Sequence, residues 1–144
     1  MMTLEEINAW TEADDCYSSM YEGEMVTTPG YVTAIVGSGF FIQSTPVGMP
    51  YGGIYVHGDY PSDMMVGQFV HVSGEVVEYW GLSEIVLDSD NAMHGVLTLY
   101  EDDAMVMGAI EPTPTSTGSI GEDCNEMGEM HEGLLVTVYN VMIT

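Results

Sequence analysis

Lysine and arginine are missing altogether. The 144 residues carry 23 Asp and Glu and no cationic side chain beyond four His, for a formal charge of −23. An ordinary soluble domain devotes about a quarter of its residues to charge, shared between the two signs. The absence removes phosphate clamps and cationic oxyanion stabilisers from the candidate chemistry. It also removes the counterion release on which affinity for nucleic-acid backbones depends. Long apolar runs are missing too: nothing approaches the roughly 18 residues of a membrane helix, so no membrane partner is expected. The N-terminus, Met1-Met-Thr-Leu-Glu-Glu6, has no basic-then-apolar export signal. Only two cysteines occur, Cys16 and Cys124, and neither forms a CxxC or CxxCH, which leaves zinc-ribbon, thioredoxin-like and c-haem readings without support. They read either as a disulfide, within or between chains and suited to an oxidising compartment, or as two unrelated thiols.

Methionine is in excess, at 13 residues, and several stand outside any apolar pattern. Met49 lies between Gly48 and Pro50, Met93 precedes His94-Gly95, and Met127 and Met130 flank Gly128-Glu129. An unbranched Met has about the length of a Lys or Arg stem, so some of these positions read as sites where the natural protein has a cation. A naturally acid-rich surface is the alternative.

What the chain has in quantity is short β-type runs bounded by Gly, Pro, Asp or Ser. They are Gly30–Val36, Gly39–Gln43, Gly53–His57, Val66–Leu82 and Ser83–Leu87, with Val96–Tyr100 beyond. Rich in Val, Ile, Tyr and Phe, they predict a small antiparallel β-barrel, hence an all-β fold. Pro29-Gly30 is expected to bend the first strand, and a pattern slip at Gly74 to mark a bulge. Tyr79-Trp80-Gly81 reads as a hairpin tip. A helix is expected over residues 3–10, with a Thr3-x-x-Glu6 capping box and Leu4, Ile7 and Trp10 on one face.

The organisation follows: residues 1–21 are an N-terminal helix and acidic loop, 22–110 the barrel, 111–133 a Pro/Thr and acidic linker, and 134–144 a terminal β-strand. Glu22-Gly-x-x-Val26-Thr27 recurs as Glu132-Gly-x-x-Val136-Thr137, so the tail looks like the opening strand of a second copy.

In their order, Gly30-Tyr-Val-Thr-Ala-Ile35, Gly39-Phe-Phe-Ile-Gln43, Gly53-Ile-Tyr-Val56 and Val66-Gly-Gln-Phe-Val-His-Val-Ser-Gly-Glu-Val-Val-Glu-Tyr-Trp-Gly-Leu82 resemble the OB-fold-like domain associated with secreted bacterial nucleases. The match covers about residues 22–100, and Glu132-Gly-Leu-Leu-Val136 resembles a segment that follows that domain. The resemblance implies an OB-like, closed, five-stranded Greek-key barrel from an exported, extracellular protein with no chemistry of its own.

OB barrels bind oligonucleotides or sugars on one sheet face, with aromatic stacking and cations. Tyr31, Phe41, Tyr55, Tyr79 and Trp80 supply a candidate ligand face, with core or barrel-end packing as their alternative. The cationic half is absent, so nucleic acid is not the expected partner if the sequence stands as written. Asp88 with Asp90, and Glu101 with Asp103, form carboxylate clusters that suit Ca²⁺, the one candidate cofactor, though neither has EF-hand spacing. His57, His71, His94 and His131 show no zinc spacing, and no nucleophile motif appears, so no catalysis is expected. Two functions remain. One is a structural subunit that self-associates into a homopolymeric filament, adding its terminal strand (Leu134, Val136, Val138, Val141) to a neighbour's sheet edge. The other is a nucleic-acid- or glycan-binding accessory module.

Overall fold

In the computed structural model, which describes residues 1–10, 16–120 and 124–142, five strands close on themselves. They are β1 (Met25–Val36), β2 (Gly39–Gln43), β3 (Gly53–His57), β4 (Phe69–Tyr79) and β5 (Leu82–Val86). The hydrogen-bonded order runs β1-β2-β3-β5-β4, and β4 pairs back onto β1. All these pairings are antiparallel except β3 with β5. This is an all-β, OB-like closed barrel. A sixth strand, β6 (Gly95–Thr98), extends β4, and β7 (Tyr100–Glu101) with β8 (Ala104–Met105) makes a small hairpin.

Alternation builds the interior. Phe40 and Ile42 of β2, Ile54 and Val56 of β3, Val70, Val72 and Val76 of β4 and Ile85 of β5 point inward and are buried. Their neighbours Phe41, Tyr55, His71 and Val77 therefore point outward. One end is stopped by α1 (Leu4–Ile7), whose Leu4 and Ile7 are fully buried. The expected capping box is present: Glu6 N–H donates to Thr3 Oγ1 at 3.1 Å, and Thr3 N–H to Glu6 Oε2 at 2.8 Å. The helix is shorter than expected because Asn8 leaves the helical path and donates its amide to the carbonyls of Tyr51 and Gly53. Trp10 instead bridges to Ser19.

The bend and the bulge both fall in β1. Its first half pairs with β4 up to Tyr31, its second half with β2 from Tyr31 onward, so the strand changes partner just after Pro29-Gly30. The register shift lies between Val32 and Ala34. At Gly74, where a bulge is expected, pairing runs through unbroken, Val26 facing Gly74 and Met25 facing Glu75. Inward positions 70, 72, 74 and 76 stay in phase, and Val77 is the outward residue. Gly74 is needed for closeness: a Cβ there would sit 2.6 Å from both Ile85 Cγ2 and the Val86 carbonyl oxygen. The hairpin tip is as expected, with Trp80 and Gly81 at φ 54° and 81° between paired Tyr79 and Leu82.

Residues 111–133 are more structured than a linker. Thr113–Thr115 forms β9, a 3-10 turn follows at Thr117–Ser119, and α2 spans Glu126–Glu129. Of the terminal run, Val136–Val138 forms β10, pairing parallel with β9 of its own chain. Residues 11–15, 121–123 and 143–144, and with them part of the expected acidic loop and terminal strand, lie outside the described set. The two echoed Glu-Gly segments share a local shape, Gly23 and Gly133 having φ of 82° and 68°, each shortly before a strand. Their pairings differ, antiparallel in the barrel for β1 and parallel outside it for β10.

Among the described residues no helix is long and apolar enough to cross a membrane. Nine of the 13 methionines are exposed, among them Met49 (52%), Met93 (68%) and Met127 (48%), while Met130 is half-buried. Methionine is normally an interior residue, so this surface placement is what the sequence pattern anticipates.

Candidate ligand face and terminal strap

Two aromatic rows lie on the outside of the barrel, each made by a cross-strand pair and a histidine two residues along. On β2 and β3, Phe41 faces Tyr55 with ring centroids 4.9 Å apart, and His57 follows at 6.2 Å. On β1 and β4, Tyr31 faces Phe69 at 4.6 Å, and His71 follows at 6.1 Å. The period-2 side-chain alternation sets both rows, since each lies beside core positions. Of the five residues expected on one ligand face, the structure joins Phe41 with Tyr55 and, separately, Tyr79 with Trp80 at 6.5 Å. Tyr31 belongs to the other row. Tyr79 and Trp80 stand at the hairpin tip, 60% and 94% exposed. His57, Phe69 and His71 complete the rows; their signal in the sequence was shared outward phase, but cross-strand register decides which residues meet.

The β2–β3 row carries no Lys or Arg. Glu84 of β5 sits opposite Tyr55 and is buried. Burial pushes its carboxyl above the ordinary carboxylate value; His57 opposes this and Glu78 adds to it. A face of this kind favours rings and neutral polar groups over phosphate.

The end of that face is covered by residues 133–138, the terminal strap. Gln43 points outward from β2 yet is completely buried. Its Oε1 accepts the Leu135 N–H at 2.6 Å, and its Nε2 donates to the Thr45 carbonyl at 3.3 Å. Gly53 of β3 lies directly against Gly133: a Cβ on Gly53 would be 2.5 Å from the Gly133 carbonyl carbon and 2.8 Å from Leu134 Cδ2. Gly48 receives Leu134 and accepts a hydrogen bond from Thr113 Oγ1 at 3.2 Å. A cavity of about 150 Å³ remains between strap and sheet, lined by Thr33, Ala34, Phe41, Gly133, Leu134 and Leu135. Leu134, Val136 and Val138 are half-buried, whereas Val141 is exposed. The residues expected to seek a neighbour's edge are thus divided, the first three seated on their own chain and the fourth projecting.

Before the strap, Glu129 and Glu132 hydrogen-bond each other through their side chains. Burial, the adjoining Glu129 carboxylate and the more distant Glu78 push Glu132 up to about 8, and burial raises Glu129 as well. Two close carboxyl groups in a poorly hydrated place do not both ionise, so the pair holds a proton. Cys16 and Cys124 are joined in a disulfide across 108 residues, Cα atoms 4.7 Å apart, which ties this region to the N-terminal segment. Nearby, Glu78 accepts from Ser19 N–H at 2.8 Å and from the Ser83 hydroxyl.

The acidic clusters stay apart. Asp88 accepts the Asp90 N–H at 2.9 Å within a turn after β5, and Glu101 and Asp103 lie in the β7–β8 hairpin. Among the described residues no group of three or more His, Cys, Asp or Glu side chains is arranged to hold a metal ion. His94 is spent on its own contacts, accepting Asp88 N–H at Nδ1 at 2.8 Å with Nε2 2.9 Å from Met25 Sδ.

No protein-family model and no curated protein sequence matches the chain. Among solved structures it is similar to the hypothetical protein ygiW from E. coli, with 18% identity over 62% of this chain and 89% of that one, at a TM-score of 0.41. It is also similar to U. maydis Replication protein A bound to ssDNA, with 18% identity over 69% of this chain and 79% of that one, at a TM-score of 0.42.

Proposed function

We propose that this OB-like barrel is a non-catalytic, extracellular assembly module that joins copies of itself through its C-terminal segment, forming a filament. The observation that carries this reading is the end of the chain. Beyond β10, Tyr139, Val141 and Met142 are 70%, 53% and 84% exposed. β10 pairs with β9 alone among the described strands, leaving its second edge open. An open edge followed by exposed apolar residues is the kind of surface that strand addition covers. The Cys16–Cys124 bond fits an oxidising compartment.

The test compares the full chain with one lacking residues 134–144, by sedimentation and negative-stain microscopy. The full chain is expected to form polymers and the shortened chain to stay monomeric. A shortened chain that assembles equally well overturns the reading.

A second reading, an accessory ligand-binding module such as those attached to secreted nucleases, is favoured by the Phe41–Tyr55–His57 row. Stacking tolerates any base or sugar face, and the anionic chain argues for a glycan over a nucleic acid. Titration with oligosaccharides and with single-stranded DNA separates the two ligands. Loss of sugar binding in Tyr55→Ala would support this reading, and no binding of either would overturn it.

A further inference from the structure

The barrel closes without the strap. Every pairing among β1 to β5 lies within residues 25–86. Yet the barrel surface carries a place shaped for the strap. Around Gly53, all three nearest atoms to an added Cβ belong to Gly133 and Leu134, and none to the barrel. Gln43, fully buried on an outward face, spends its carbonyl oxygen on Leu135 N–H. Glycine at 53 and an amide at 43 make a cradle for an extended peptide.

The connection to the strap is long. β9 and β10 run parallel, so the chain must return along its own length between Thr115 and Val136. Cys124 moves with the strap, so the span between copies falls to the nine residue steps from Thr115 to Cys124, on the order of 30 Å at full extension. Identical copies carry identical cradles, so a second copy offers the segment the same contacts it has in cis.

We propose that the cradle at Gln43, Gly48 and Gly53 accepts residues 133–138 of a second copy of this chain, so that each copy passes its strap to the next. This rests on the assembly reading above and adds to the open β10 edge a second contact between copies. Cys124 travels with the strap, and in the exchanged form it bonds Cys16 of the copy that receives it. The covalent link that closes one chain in cis then joins two.

The experiment uses two full-length chains of different mass tag. One carries Cys16→Ser and donates its strap; the other carries Cys124→Ser and offers its cradle. They are mixed in mild urea, refolded together in an oxidising glutathione buffer and read by non-reducing gel and intact mass. A disulfide-linked heterodimer is expected. Gly53→Ala in the cradle chain should lower its yield about tenfold, whereas the same change in the donor, whose own cradle competes for its strap, should not lower it. Leu134→Ser should behave in the opposite way, lowering the yield only when the donor carries it. Thermal melts of each variant report folding, and the donor-side Gly53→Ala serves as the folded control. No heterodimer, or a yield blind to which chain carries the change, overturns the exchange. Polymers of the unmodified chain alongside position-blind linking would overturn the cradle and leave assembly standing. A monomeric unmodified chain with position-dependent linking would do the reverse.

Discussion

The Leu135 backbone N–H donates to Oε1 of Gln43 at 2.6 Å, joining residues 92 apart in the chain. Through this contact an outward-facing strand residue is sealed from water, and the C-terminal strap is fixed to the sheet. Gln43→Leu leaves Leu135 N–H and the Thr45 carbonyl without this partner. The expected cost is about 1–3 kcal/mol. Urea denaturation measures it, and hydrogen exchange should show faster loss of protection at residue 135 than at β4.

The Cys16–Cys124 bond closes a loop of 108 residues. In the chain-entropy account a loop of about 100 residues stabilises by roughly 4–5 kcal/mol, and removing native disulfides costs about 2–5 kcal/mol. The double Cys16→Ser, Cys124→Ser chain should therefore unfold at clearly lower urea than the oxidised protein. Equal midpoints would show that the bond adds nothing to the folded state.

Glu132 gives stability a pH dependence of definite sign. Its folded value, about 8, lies above the ordinary 4.5. The folded state therefore binds the proton more tightly than the unfolded chain. Its contribution is fully present below about pH 4.5 and is lost as pH rises through 8. Glu132→Gln, which keeps a hydrogen-bonding group towards Glu129 without the charge, should flatten the profile between these limits. Denaturation midpoints at intervals across that range provide the check; an unchanged profile refutes the assignment.

Gly74→Ala places a methyl 2.6 Å from Ile85 Cγ2 and the Val86 carbonyl oxygen. Overpacking of this kind costs about 1–3 kcal/mol. Since the Val86 carbonyl belongs to backbone, relief requires a shift of β5 against β4. Two-dimensional NMR should show the largest changes at residues 84–87, and a thermal melt should fall accordingly.

The exposed methionines make a direct chemical prediction. Without Lys or Arg, the chain offers trypsin no site even when unfolded. Digestion of the urea-unfolded natural protein, followed by mass measurement, should yield one intact species. Cleavage after position 49, 93 or 127 would place a cation where methionine stands.

Much of this molecule was legible from local pattern. Alternation placed Phe40, Ile42, Ile54 and Val56 inside, the box at Thr3 and Glu6 began a helix, and Trp80-Gly81 turned a hairpin. Each depends on neighbours a few residues away, which a sequence displays. Gly74 was misread because a glycine that permits close approach and a glycine that marks a bulge look alike until the opposing strand is known. Which aromatics share a row followed from register between strands, and so Tyr31 parted from Phe41.

The amino-acid sequence on its own determined the barrel strands, the anionic surface and the lack of Lys and Arg, because side-chain period and charge are properties of the chain itself. Tertiary structure alone decided that Gln43 is buried, that Glu129 and Glu132 hydrogen-bond each other, and that Val136–Val138 lies on β9. Those facts depend on pairs of residues brought together by barrel closure and by the return of the C-terminal chain, and no local pattern records where a returning segment lands.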